Sequence, residues 1–275
     1  MKIITTSSVF PYQMDPLDTL PRLARLGFDG IDIAFDYCNS NENSGFVSGN
    51  YLDWAKRLRD KADAYGVTLS PSHAPFDASA RGDIVKRTMA CAQIIGAKYT
   101  VVHPLWRKSE DTFYEDFDEF VEVNVKAIQP IIEMAGEYGI TVLSENLLWG
   151  ASIHPKAISN LVSAVNSPYF GWCYDTGHAK SHGLSSTDLI GLKNVPLSLH
   201  IQDNLGIKWD EHLIPGDGKI DWKEFLDILN AIGYQGEFVL EAHHQTIDAP
   251  DEERDGLLAT LLDRSRKMVA YLNRT

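Results

Sequence analysis

The chain has 275 residues, of which 44% are hydrophobic and 23% charged, and this composition suits a globular protein with a sizeable core. Its formal net charge of −13 disfavours binding to nucleic-acid phosphates and leaves small molecules as the favoured partners. No apolar run reaches the roughly 18 residues of a membrane span, and the N-terminal residues turn polar too early for a signal peptide. The three cysteines are too scattered for a disulfide framework. We therefore expect a cytoplasmic protein.

Short apolar runs alternate with longer helical patterns from one end of the chain to the other. Such alternation predicts βαβ units and a parallel sheet. The strand-like runs are Ile3–Ser7, Gly30–Phe35, Thr68–Ser72, Tyr99–His103, Thr141–Ser144, Phe170–Tyr174, Leu197–Ile201 and Phe238–Leu240. Eight such pairs favour a closed barrel, and the glycine-rich phosphate turn of a dinucleotide-binding sheet is absent. The sequence therefore predicts an α/β fold, a single (β/α)8 TIM barrel that forms one domain over residues 1–275.

The helical patterns between these runs have recognisable starts and stops. Apolar residues at helical spacing and a capping aspartate, Asp221, mark the clearest helices. These helices are Pro16–Leu26, Tyr114–Tyr138, Asp221–Ile232 and Asp251–Leu272. Glycines that precede strands are read as helix stops, and they are Gly27, Gly66, Gly96, Gly139 and Gly233. The Asn/Ser/Gly-rich segment 39–49 is read as a loop after the second strand, with no domain boundary there.

Acidic and histidine side chains follow six successive runs, from the third to the eighth. In (β/α)8 barrels the carboxyl ends of the strands meet at the face where the chemistry sits. The residues in question are His73, His103, Glu145, Asp175, His178, His200 and Glu241, with Asp210 and His212 in the loop after the seventh run. Their positions predict that they lie close together at one end of the barrel.

These residue types indicate a metal centre. Carboxylate oxygens and neutral imidazole nitrogens are ligands for Mn²⁺, Zn²⁺, Co²⁺ and Mg²⁺, and the histidines favour a transition metal over Mg²⁺ or Ca²⁺ alone. Several carboxylates at one barrel mouth would repel one another strongly without a cation. No CxxC pair is present, which disfavours a thiolate zinc site. We therefore expect a divalent metal ion as the cofactor.

At these residues the sequence resembles the xylose-isomerase-like TIM-barrel superfamily, which contains sugar and sugar-phosphate isomerases and epimerases and also endonuclease IV. The resemblance is most specific at the segments SHAP, VHP, SEN, DTGH, HIQD, DEH and LEA, and at PGDGKIDW (Pro215–Trp222). In the epimerases it implies one divalent ion held by four residues, which here are Glu145, Asp175, His200 and Glu241.

The endonuclease IV branch binds three zinc ions through nine ligands, and this chain has a candidate for each. By that resemblance the possible further ligands are His73, His103, His178, Asp210 and His212. The set of ligands alone does not separate the two branches.

Three residues are candidates for substrate contact. The resemblance implies that His178 touches substrate or binds a second metal. Trp149 would pack against a sugar ring, or else belongs to the core. Lys208 would bind a phosphate or hydroxyl group, or else is a surface lysine. The remaining histidines are read as structural or surface residues, and they are His154, His182, His243 and His244.

The leading functional hypothesis is a metal-dependent isomerase or epimerase of a sugar, keto-sugar or sugar phosphate. Glu145 and Glu241 would transfer protons through a cis-enediolate held by the metal. The alternative is a multinuclear zinc phosphodiesterase like endonuclease IV, which is disfavoured for DNA because no Lys or Arg occurs between Gly27 and Ala55. A third class is a non-catalytic sugar- or metal-binding protein. No nucleic-acid or membrane partner is expected, and a homo-oligomer is an open expectation from the resemblance.

Overall fold

A closed barrel of parallel strands forms the centre of the protein. The computed structural model describes residues 1–273. Its strands are β1 (Ile3–Thr6), β2 (Gly30–Ala34), β3 (Ser72–Asp77), β4 (Tyr99–His103), β5 (Arg107–Ser109), β6 (Thr112–Phe113), β7 (Thr141–Glu145), β8 (Phe170–Asp175), β9 (Ser198–Ile201) and β10 (Glu237–Leu240). The barrel order is β1-β10-β9-β8-β7-β4-β3-β2, and β5 and β6 form a separate hairpin. The predicted (β/α)8 TIM barrel is confirmed.

Helices surround the barrel and connect its strands. They are α1 (Pro16–Leu26), α2 (Phe35–Ser40), α3 (Tyr51–Tyr65), α4 (Asp83–Ile95), α5 (Phe117–Glu137), α6 (Pro155–Val165), α7 (Thr176–Ser181), α8 (Trp222–Ala231), α9 (His244–Asp248) and α10 (Asp251–Leu272). Helices α1 and α10 have the predicted bounds, and Asp221 caps α8 by accepting a hydrogen bond from the Glu224 N–H. Gly27 ends α1 in the left-handed conformation with φ of 103°. Within residues 1–273, none of the helices combines the length and the apolar character that a membrane span needs.

The third barrel strand differs from its prediction. The run expected as a strand was Thr68–Ser72, whereas β3 begins at Ser72 and continues to Asp77. Pro71 has no N–H to give to the ladder, so regular pairing begins only after it. Thr68 contributes a single isolated bridge to Gly30. The shift places His73 inside the strand rather than beyond its end.

Inward-pointing apolar side chains of the strands lie below the polar residues at the barrel mouth. Val101, Leu143 and Cys173 form a small apolar cluster of their own. Each lies two residues before a polar residue of the predicted site, and residues two apart on a strand point to the same side. The larger apolar core lies between the strands and the helices. The polar residues of the mouth therefore lie directly above these three apolar side chains.

Candidate metal centre

Four side chains from four neighbouring strands converge at the mouth of the barrel. Glu145 ends β7, Asp175 ends β8, His200 lies in β9 and Glu241 follows β10. Each of these residues is buried, and Glu241 is the most exposed at 8%. One donor atom from each lies within 4.8 Å of the other three. These are the four residues predicted to share one ion, and we call them the central group.

A first outer group lies beside the central group and shares Glu145 with it. His73 Nε2 lies 3.6 Å and His103 Nε2 lies 3.3 Å from Glu145 Oε2. The other oxygen of this carboxylate, Oε1, lies 2.7 Å from His200 Nδ1 in the central group. Glu145 is therefore placed to bridge two positions, which a residue in an ordinary ion pair does not need to do.

A second outer group consists of His178, Asp210 and His212. Asp210 Oδ1 lies 3.3 Å from His178 Nε2 and 2.8 Å from His212 Nε2. The Nδ1 atoms of the two histidines lie 2.8 Å from the carbonyl oxygen of Asn146 and 2.7 Å from that of Glu241. A carbonyl oxygen can only accept, so each Nδ1 carries the hydrogen and each Nε2 is left to face Asp210. This orientation is the one that metal-binding histidines adopt.

The two outer groups contain all five residues proposed as further ligands. They join the four of the central group, so the nine candidate side chains lie in three groups at one end of the barrel. A polar residue at a strand end is common in barrels, but convergence of this kind depends on the closure of the sheet. The structure therefore brings together every metal-ligand candidate taken from the sequence.

Two buried amide side chains hold the acidic ligand candidates Asp175 and Asp210 in place. Asn146 accepts a hydrogen bond from the Asp175 N–H at 2.8 Å and donates to the Asp175 carbonyl at 3.0 Å. Gln202 donates to both carboxylate oxygens of Asp175 at 3.2 and 3.3 Å, and to Asp210 at 3.3 Å. Its own oxygen accepts from the His212 N–H. Both residues lie in segments noted in the sequence, but sequence reasoning gave them no role.

Asp203 organises the loop that carries Asp210 and His212. This aspartate is fully buried. Its Oδ1 accepts from the N–H groups of Asn204 and Ile220, and its Oδ2 accepts from the Gly216 N–H and the Trp222 indole, at distances between 2.7 and 3.1 Å. The four bonds tie both ends of the loop to one carboxylate.

The carboxylates of the central group respond differently to burial. Burial opposes ionisation of Glu145, but attraction to the imidazoles of His200, His103 and His73 holds its pKa well below the usual range. The same balance, with His200 as the main attraction, lowers the pKa of Glu241 to about 2. Burial raises the pKa of Asp175 to about 7, against the attraction of His178.

The histidines show the complementary effect. Burial tends to lower the pKa of His73, but its contact with Glu145 and the charge of Asp36 raise it to about 9. Burial also opposes the charge of His212, whereas Asp210 raises its pKa to about 9. Protons on these imidazoles thus balance the buried carboxylates in the metal-free protein, at positions where a cation would do the same.

The chemistry of these donors fits a divalent ion. The central group has three buried carboxylates and one imidazole whose donor atoms lie within 4.8 Å of one another, and like charges this close repel strongly. Glu145 Oε2 is buried and makes no hydrogen bond within residues 1–273. Oxygen and nitrogen donors in this proportion suit Zn²⁺, Mn²⁺ or Co²⁺.

A cavity of about 150 Å³ opens above the metal-ligand candidates. Its remaining wall comes from the ends of β1 and β2, with Thr6, Ser8, Asp36 and Tyr37. His243 also lines the cavity, although it was expected to be a structural or surface residue. Little in the sequence marks these wall residues as part of a site, because hydroxyl and aromatic side chains after a strand are common.

Of the three residues predicted to contact substrate, one lines the cavity and two do not. His178 lines the cavity. Trp149 does not, and it stacks on Trp106 with ring centroids 4.6 Å apart while 41% of it stays exposed. Lys208 is exposed on the loop after β9 and is likewise absent from the cavity wall. Contact of these two residues with a substrate stays a prediction.

Comparisons with known proteins give a consistent result. A family model described as a xylose isomerase-like TIM barrel matches residues 20–265. An uncharacterised protein of Methanocaldococcus jannaschii is 29% identical over 240 residues, or 81% of this chain and 78% of that protein. The structure of a D-tagatose 3-epimerase-like protein matches with a TM-score of 0.75 and 22% identity, covering 100% of this chain and 99% of the other. That of an IolI protein with a zinc atom has a TM-score of 0.78, 17% identity and 99% coverage of both.

Proposed function

The chain belongs to the xylose isomerase-like TIM-barrel family, and we propose that it is a divalent-metal-dependent isomerase or epimerase of a sugar or keto-sugar. The observation that carries the proposal is the central group with a glutamate at each side of it. Glu145 ends β7 and Glu241 directly follows β10, and β8 and β9 lie between these two strands in the barrel. Both glutamates also line the cavity. The structural similarity to a D-tagatose 3-epimerase-like protein supports the same class of reaction.

Glu145, Asp175, His200 and Glu241 would hold the ion. Bound there, it would supply Lewis-acid polarisation of a substrate carbonyl, which makes the neighbouring C–H proton easier to remove. The buried amides of Asn146 and Gln202 keep Asp175 in position.

The two glutamates would move the proton. One carboxylate takes the proton from the carbon next to the carbonyl, and the electron pair of that C–H bond remains in the enediolate of the substrate. The other carboxylate returns a proton to the opposite face of that carbon, which is epimerisation. Return of the proton by the first carboxylate to the former carbonyl carbon, while the hydroxyl proton passes to the former carbonyl oxygen, is isomerisation. The separation of β7 from β10 favours two groups acting from different sides.

A Glu241→Gln variant tests this role. The assay is exchange of the proton next to the carbonyl of a ketohexose, such as D-tagatose or D-psicose, with deuterated water, measured together with metal content. Loss of a general base typically costs on the order of 10²-fold or more in rate. Glu253→Gln, an exposed residue on α10, is the matched control. Exchange by Glu241→Gln at the wild-type rate would show that Glu241 is not the base.

The three groups of ligands also support a second candidate, a multinuclear phosphodiesterase. The specific observation is the bridging position of Glu145 and the Nε2 atoms that face Asp210. Against it, no Lys or Arg lines the cavity within the described chain, and phosphate-binding sites normally use such residues. Three ions per chain together with cleavage of an abasic-site duplex would establish this candidate. One ion with ketose turnover would exclude it.

A further inference from the structure

One wall of the cavity carries no metal-ligand candidate. The nine candidates lie in or after β3, β4, β7, β8, β9 and β10, whereas β1 and β2 lie side by side in the barrel and contribute none. The ends of these two strands instead present Thr6, Ser8, Asp36 and Tyr37 to the cavity. A substrate bound at the metal centre therefore meets this wall with its remaining groups.

Asp36 is the charged residue of that wall. It is the second residue of α2, directly after β2, and it is only partly exposed. Its Oδ1 is buried and has no hydrogen-bond partner within residues 1–273. Buried carboxylate oxygens are normally hydrogen-bonded, and one that is not is placed to accept a bond from a ligand or an ordered water.

The neighbouring side chains leave Oδ1 of Asp36 without a hydrogen bond. Thr6 Oγ1 and Ser8 Oγ lie 2.9 Å apart and bond to each other. Burial raises the pKa of Asp36, against the attraction of the imidazoles of His73 and His103. The carboxylates of Glu241 and Asp32 also act on it. No Lys or Arg of the described chain lines the cavity, so this wall offers no basic side chain to pair with an anionic group of a ligand.

We propose that the Asp36 carboxylate binds the substrate by accepting hydrogen bonds from its hydroxyl groups, and that it thereby selects an uncharged polyhydroxy substrate over a phosphorylated one. The inference rests on the proposed function and adds the substrate class. A carboxylate accepts strongly from hydroxyl donors. It has nothing to donate to a phosphate and repels the charge of one.

Asp36→Asn is the informative variant because it keeps the shape and removes the charge. Asp53→Asn, an exposed aspartate on α3, is the matched control. For an uncharged ketohexose such as D-psicose we expect KM to rise about tenfold or more in Asp36→Asn with kcat changed much less, since bonds to charged acceptors contribute on that order. The metal content stays at the wild-type value.

A second measurement does not depend on turnover. Inorganic phosphate is titrated against the metal-loaded wild type and both variants. Asp36→Asn is expected to bind phosphate about fivefold more tightly, because a like charge nearby costs about that much even in water-like surroundings. Asp53→Asn is expected to match the wild type.

The outcomes separate this inference from the proposed function. If the metal-loaded wild type converts no ketose, the proposed function fails and the phosphate titration alone decides the role of Asp36. If Asp36→Asn equals Asp53→Asn in every measured constant, the inference is overturned. Loss of metal from Asp36→Asn would make Asp36 a ligand and would overturn it as well.

Discussion

Replacing Asp203 with asparagine should loosen the loop that carries Asp210 and His212. The carboxylate accepts four hydrogen bonds from donors at both ends of this loop. An asparagine keeps one oxygen, which serves two of the donors, and turns an NH₂ group toward the other two. Two hydrogen bonds are therefore lost, and the two buried donors that made them now face the NH₂ group, which is itself a donor.

The size of this effect follows from the bonds lost. A bond to a charged acceptor contributes about 1.5–3 kcal/mol, so two of them give a loss of roughly 3–6 kcal/mol in the free energy of unfolding. For a protein of this size, that corresponds to a fall in Tm of about 6 °C or more. Both are measured by thermal and urea unfolding of the chelated protein, so that bound metal does not mask the change. Asp53→Asn is the control, and an Asp203→Asn variant within 1 °C of it, taken as roughly no effect, would refute the reasoning.

Three further outcomes are expected. A methyl group at Gly177 would overlap Gln202 Oε1, so Gly177→Ala should displace the amide that supports Asp175 and weaken metal binding by roughly tenfold, measured by competition with a chromophoric chelator; unchanged affinity would contradict this. His73 and His212 have folded-state pKa values of about 9, above the ordinary 6.5, so the stability they add is complete below about pH 6.5 and is lost as the pH rises through 9; the Tm of chelated protein should fall over this range, whereas a flat or rising Tm would count against charged imidazoles. Metal at 100 times its Kd should raise the free energy of unfolding by about 2.7 kcal/mol, seen as a higher Tm than after chelation, and equal Tm values would show that folded protein binds no ion.

The barrel and its ligand candidates were readable from the sequence because both depend on local patterns. Apart from β3, each barrel strand is a short and mainly apolar run, and Glu145, Asp175 and Glu241 stand at or directly after the end of one. The carboxyl ends of parallel strands share one edge, so residues that are far apart in the chain meet there. The one misplaced strand, β3, reflects Pro71, which interrupts pairing in a run that otherwise has strand character.

The roles of the supporting residues could not be predicted from the sequence, and the reason is physical. Asn146, Gln202 and Asp203 act through hydrogen bonds to backbone and side-chain atoms up to 29 residues away. Such partners are set by how loops fold over the barrel, not by any spacing in the sequence. The sharing of Glu145 between two groups was equally unreadable, because it depends on one carboxylate oxygen facing His103 and the other facing His200.

The residues of the cavity wall were harder to predict from the sequence. Trp149 and Lys208 were chosen because aromatic and cationic side chains suit sugar ligands; they do not line the cavity, and their contact with a substrate stays a prediction. Asp36 and His243 were passed over and line it. Residue type indicates what a side chain can bind, whereas the loop that carries it decides where it points.

The most direct measurement of the central claim is anomalous X-ray scattering from crystals of zinc- or manganese-loaded protein. We predict a peak among Glu145, Asp175, His200 and Glu241, about 2.0–2.3 Å from one donor atom of each. An anomalous map with no peak among these four residues, in crystals of active protein, would contradict a shared ion at the mouth of the barrel.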